Sequence, residues 1–159
     1  MRKLLLLFTI TLLLSCSKDD STTTNTPSYY IKAKFNGEQK VFSNLVIGQK
    51  GLNGNNLVHL TLGAVNGSSF PTFDIEIWNL DGTISTGVYS EATFDIESRY
   101  ALDGFTRYNN FSNDIEDYKV TITSISVTEV KGSFEGTITK NADENIIITE
   151  GEFYVPLKD

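Results

Sequence analysis

From Tyr29 onward the chain alternates. Tyr30, Lys32 and Lys34 are interleaved with Ile31, Ala33 and Phe35, a period of two that sends the two sets to opposite faces of an extended strand. Asn36-Gly37 follows. That pair accepts the positive φ of a tight turn, so it predicts a hairpin with a return strand over 39–42. The same pattern, broken by Gly, Asn and Asp, predicts strands over 45–47, 57–62 and 73–80, a short one starting at Val88-Tyr89, and two more over 94–102 and 105–108 around Asp103-Gly104. Residues 119–127, 132–139 and 145–155 predict a three-stranded antiparallel meander. Parity slips inside it. Val120 and Ile122 share a face that Ile125 and Val127 do not, which predicts a bulge near Thr123-Ser124. Ile146 and Ile148 likewise differ in parity from Phe153 and Val155, which places a second bulge at Gly151. Helical periodicity is nearly absent. The expected fold is all-β, an antiparallel β-sandwich of about 8–10 short strands, with a small up-and-down β-barrel as the alternative.

The first residues follow a different rule. Arg2 and Lys3 precede an apolar run from Leu4 to Leu14, and Ser15 leads into Cys16, the only cysteine. As a helix that run rises about 16 Å, well short of the ~30 Å hydrocarbon core, so it reads as a secretory leader rather than a span. Leu13-Leu14-Ser15-Cys16 resembles the lipobox of a bacterial lipoprotein. The resemblance implies removal of residues 1–15, acylation of Cys16 and anchorage to a membrane. Ser17-Lys18-Asp19-Asp20 resembles the acidic export tag of surface lipoproteins of Bacteroidota, which implies an outer-membrane, surface-exposed address. Asp20-Ser21-Thr22 is similar to the O-glycosylation motif of the same bacteria. With no apolar side chain to bury before Tyr29, residues 16–28 are expected to be a lipidated cysteine and a disordered tether, and residues 29–159 a single β-sandwich domain.

Within that domain, Ala33-Lys34-Phe35-Asn36-Gly37-Glu38, Gly132-Ser133-Phe134-Glu135-Gly136-Thr137 and Ile148-Thr149-Glu150-Gly151-Glu152-Phe153 resemble small uncharacterised Bacteroidota lipoproteins over most of 29–157. These motifs are hairpin and bulge chemistry. They imply a fold and carry no reaction with them.

Charge narrows the partners. The chain has 13 basic and 20 acidic residues, a net charge of −7. Loss of Arg2 and Lys3 with the leader makes it more negative still. Phosphate backbones demand a basic face, so no nucleic-acid partner is expected. Lipidation of Cys16 would leave no thiol and no disulfide, and packing alone would hold the domain.

Catalytic constellations are scarce. His59 is the only histidine and sits inside Leu57-Val58-His59-Leu60-Thr61-Leu62, on the face opposite the larger apolar residues. It is read as an ordinary strand histidine. No Gly-x-Ser-x-Gly elbow and no phosphate-cradling glycine loop is present. Asp74 with Glu76, and Glu150 with Glu152, could pair carboxylates for glycoside hydrolysis, but same-face pairs on strands are usually solvated surface. The loop from Asn109 to Asp117 is rich in oxygen ligands without matching an EF-hand, so no metal and no cofactor is assigned. Aromatic side chains are the remaining lead. Trp78 falls on the same side as Asp74 and Glu76, where an indole can stack on a sugar ring while carboxylates accept hydroxyl hydrogen bonds. Arg99, Tyr100, Phe105, Arg107, Tyr108 and Phe111 form a second aromatic and polar cluster around a hairpin tip. The expectation is therefore a non-catalytic, lipid-anchored envelope protein, a ligand-binding module for a glycan using Trp78, Tyr100, Arg107 and Tyr108. The alternative is a structural or protein-interaction subunit of an envelope complex.

Overall fold

A computed structural model describes residues 29–92, 95–111, 117–141 and 144–158. The lipobox, Cys16 and the tether lie outside the described residues, as does most of the acidic stretch after Phe111. Eleven strands are found: β1 (Tyr30–Phe35), β2 (Glu38–Phe42), β3 (Asn44–Asn53), β4 (Asn56–Val65), β5 (Thr72–Trp78), β6 (Gly87–Ser90), β7 (Asp95–Ala101), β8 (Arg107–Asn109), β9 (Lys119–Ile125), β10 (Glu129–Asn141) and β11 (Glu144–Lys158). The protein is all-β. Its strands make one mixed sheet in the order β2-β1-β11-β3-β4-β5-β7-β8-β10-β9-β6, and β11 also pairs with β10. The pairing therefore returns on itself. Every neighbour pair is antiparallel except β11 with β3, which share the parallel rungs Leu157–Gly48 and Lys158–Gln49.

Alternation decides which side chains are inside. Along β5, Phe73, Ile75 and Ile77 are buried while Thr72, Asp74, Glu76 and Trp78 are not. The sheet folds over so that these inner faces meet. Phe35 of β1 lies 5.5 Å from Phe73 and 4.9 Å from Tyr100, and Phe42 of β2 lies 5.7 Å from Phe73, although β1 and β2 are not strand neighbours of β5 or β7. Phe134 of β10 extends this ring cluster to Phe153 of β11. Such edge-on and offset contacts add to the area each ring buries.

Local chemistry explains the turns and bulges. Asn36 and Gly37 have φ of 49° and 85°, the positive pair that the β1–β2 hairpin requires. In β9, Ser124 pairs with Lys131 but Ile122 pairs with Gly132, which leaves Thr123 as the extra residue of a bulge. In β11 the extra residue falls between Ile148 and Gly151, and Glu150 carries the positive φ of 51°. The second bulge is thus displaced by one residue from Gly151. Gly151 answers a different need: a Cβ there would collide with the carbonyl oxygen and ring of Phe134.

Candidate functional site

Three strands, β4, β5 and β7, present their polar sides to solvent as one face. Register sets the neighbours. His59 lies opposite Trp78, Thr61 opposite Glu76 and Gly63 opposite Asp74. Across the other edge of β5, Trp78 faces Asp95, Glu76 faces Glu97 and Asp74 faces Arg99. Directly opposed side chains on a sheet approach within contact distance, so each row interacts as a unit.

The first row is a stack. The His59 imidazole and Trp78 indole lie 3.5 Å apart at 12° between planes. One face of the indole is covered by the histidine, and Trp78, half-buried, borders an open cleft with Glu91, Asp95, Glu97 and Phe111. The second and third rows are an ion-pair net. Arg99 donates through Nε to Asp74 Oδ2 at 2.7 Å and through Nη2 to Glu76 Oε1. His59 Nε2 lies 3.2 Å from Glu76 Oε2, and Thr61 Oγ1 lies 3.2 Å from that same nitrogen. Burial pushes the Asp74 carboxyl above its ordinary 3.8. Arg99 pulls it back down, while Glu76 and Glu97 push with the burial.

What the net can do chemically follows from its geometry. A nucleophile relay needs the acid on one imidazole nitrogen and the hydroxyl on the other. Here Glu76 and Thr61 both approach Nε2, and Nδ1 is the ring nitrogen turned toward the backbone at Gly51. The Asp74 and Glu76 oxygens are held by Arg99 rather than left to exchange a proton with a substrate. Among the described residues, no group of three or more His, Cys, Asp or Glu side chains is placed to hold a metal ion. The face offers instead a fixed aromatic plate and a row of hydrogen-bond acceptors.

The four aromatic and basic residues singled out from the sequence fall on two faces. Trp78 and Arg107 are on the outward face at opposite ends, since Arg107 pairs with Ala101 and Ala101 with Thr72. Tyr100 pairs with Phe73 and points the other way. It is 3% exposed and packs against Phe35, so its ring belongs to the core. Parity is the physical reason: neighbours in sequence on a strand cannot share a face. Tyr108 is half-buried beside Tyr100, with its hydroxyl 3.4 Å from Glu144 Oε2. His59 is the site member that the sequence pattern passed over, and Arg99, grouped by sequence with the hairpin, belongs to the face of Trp78. The outward parity of His59 was visible, but its position opposite Trp78 depends on the β4–β5 register, for which no short motif stands.

A separate feature stands at the β7–β8 turn. Phe105 is 99% exposed. Asp103 Oδ1 accepts from the backbone N–H of Phe105 at 2.7 Å and of Thr106 at 2.6 Å, and Leu102 N donates to Thr106 O. These bonds hold the Asp103 carboxyl below its ordinary 3.8 and lock the tip in shape. Comparison of the chain with protein-family models, curated proteins and solved structures finds no match.

Proposed function

We propose that this is a lipid-anchored cell-envelope protein, displayed at the outer membrane surface, whose β domain binds a glycan without catalysing a reaction on it. The observation that carries this is the Trp78 indole, backed on one face by His59 at 3.5 Å and lining an open cleft. A rigid backing costs the platform little entropy on binding, and a sugar ring lays its C–H face on an indole while its hydroxyls find acceptors. Glu97 and Asp95 supply those acceptors beside the ring.

Affinity electrophoresis through gels containing neutral and acidic polysaccharides tests the binding. At least one polymer should retard the wild-type domain, Trp78→Ala should restore free migration, and Trp78→Phe should keep part of the retardation. A domain that migrates freely through every polymer overturns the glycan reading. The anchor is tested separately: Cys16→Ser should abolish incorporation of labelled palmitate, and protease added to whole cells should remove the domain.

Phe105 favours a second reading, a protein-interaction subunit. A fully exposed phenylalanine on a turn locked by Asp103 is shaped to enter a pocket on a partner. One stoichiometric protein should then co-purify with the wild type and be lost from Phe105→Ser.

A further inference from the structure

The end of the sheet face away from Trp78 holds a cleft of about 390 Å³. Phe70, Phe111 and Arg107 line it together with the outward-facing Asp74–Arg99 pair. Phe70 and Phe111 are both largely exposed there, 44% and 55%, whereas the other phenylalanines among the described residues, Phe105 apart, are packed inside. Two exposed rings beside a polar ion pair are a ring-binding arrangement.

The sign of the ligand comes from the cations. Lys32, Lys34, Lys40, Lys119, Lys131 and Lys140 each lie within ion-pair distance of a glutamate, and Arg99 is spent on Asp74 and Glu76. Lys50 donates to the carbonyl of Val127. Among the described arginines and lysines, only Arg107 and Lys158 make no such bond, and Lys158 ends β11 away from any cleft described above. In this cleft Arg99 is shared between Asp74 and Glu76, so Arg107 is the cation of the lining left to meet an anion. In a protein of net charge −7, an anion is repelled from most of the surface and drawn to this point. A guanidinium free of partners offers a planar carboxylate two parallel N–H bonds.

We infer that this cleft is a subsite for a carboxylate-bearing sugar ring, a uronate residue of an acidic glycan. The pyranose lies between the Phe70 and Phe111 rings, and its carboxylate meets Arg107. The inference rests on the glycan reading and adds to it the class of sugar.

The test compares three probes by isothermal titration on the wild-type domain, Arg107→Gln and Trp78→Ala: an oligogalacturonate, its methyl ester and a neutral gluco-oligosaccharide. The ester keeps the ring and removes the charge. The wild type should bind the acid about tenfold more tightly than the ester, the worth of one charge-assisted hydrogen-bonded contact. Arg107→Gln should lose that difference while keeping its affinity for the ester, and added salt should shrink it in the wild type. Equal binding of acid and ester by the wild type overturns the uronate subsite. In that case retained binding that fails in Trp78→Ala leaves the glycan reading standing. If none of the three probes binds, and the polysaccharide gels show no retardation either, both fall together. Arg107 is exposed, so the variant should unfold in urea at the wild-type midpoint, which keeps a lost preference from being misread as a lost fold.

Discussion

His59 and Trp78 are the only histidine and the only tryptophan in the chain, and they are stacked on each other. Emission excited at the indole therefore reports one ring and the side chain stacked on it. His59→Ala should uncover that face of the indole and raise the quenching of Trp78 fluorescence by acrylamide, and unchanged quenching would count against the stack. Tyr154 offers a titration at this scale. Its hydroxyl donates to Glu129 Oε2 at 2.6 Å, and that bond to a carboxylate, with burial behind it, pushes the phenol from 10.0 up to about 12. A raised phenol pKa means that the protonated form carries the stabilisation. It is present in full below pH 10 and is lost as pH rises through about 12. Ultraviolet titration should find a late phenol that returns toward 10 in Glu129→Ala, while Tyr100 and Tyr118, held up by burial, stay late.

Strands were the most legible part of this chain because a period of two is a local property. β1, β5 and the β9–β10–β11 meander lie where the alternation puts them. The Thr123 bulge was readable too, since a change of parity between Ile122 and Ile125 leaves no other geometry. Gly151 was read for its backbone freedom when its role is clearance for Phe134, and clearance belongs to a neighbour that sequence alone does not place. The candidate site divides in the same way. Trp78, Asp74 and Glu76 share a face by parity, whereas Trp78 meets His59 only through a register set across the 66–71 connection. Tyr100 groups with Arg99 and Arg107 by nearness in sequence, but its parity opposes theirs and turns its ring into the core. Gly132 makes the clearance point measurable. A Cβ there would strike the Thr121 carbonyl oxygen on one side and the Phe153 ring on the other. Backbone cannot yield as a flexible side chain does, so Gly132→Ala should cost about 1–3 kcal/mol or more in urea denaturation, where an exposed Gly104→Ala should cost under about 0.5 kcal/mol.

Across the whole molecule, stability lies in the rings where the folded-over sheet closes. Phe134 touches Phe73 on one side and Phe153 on the other and is 3% exposed. Phe134→Ala should cost about 3–5 kcal/mol, the usual price of a vacated aromatic site in a core. Phe105→Ser should leave the urea midpoint where it is, because the ring touches water and little else. Those two phenylalanines, indistinguishable by composition, separate core from contact surface in one experiment.

β11 has one further consequence, in the timing of biogenesis. It pairs with β1 and β10 and adds the parallel rungs to β3, so strands near both ends of the domain await it. Tyr30 acquires its partner only when Tyr154 arrives. Local hairpins such as β1–β2 can flicker on their own, but a two-stranded ribbon is marginal in water. A chain ending at Asn141 should accordingly show no cooperative urea transition. Until β11 has been made, the ring of strands stays open, and the domain closes into a folded body only after that strand has arrived.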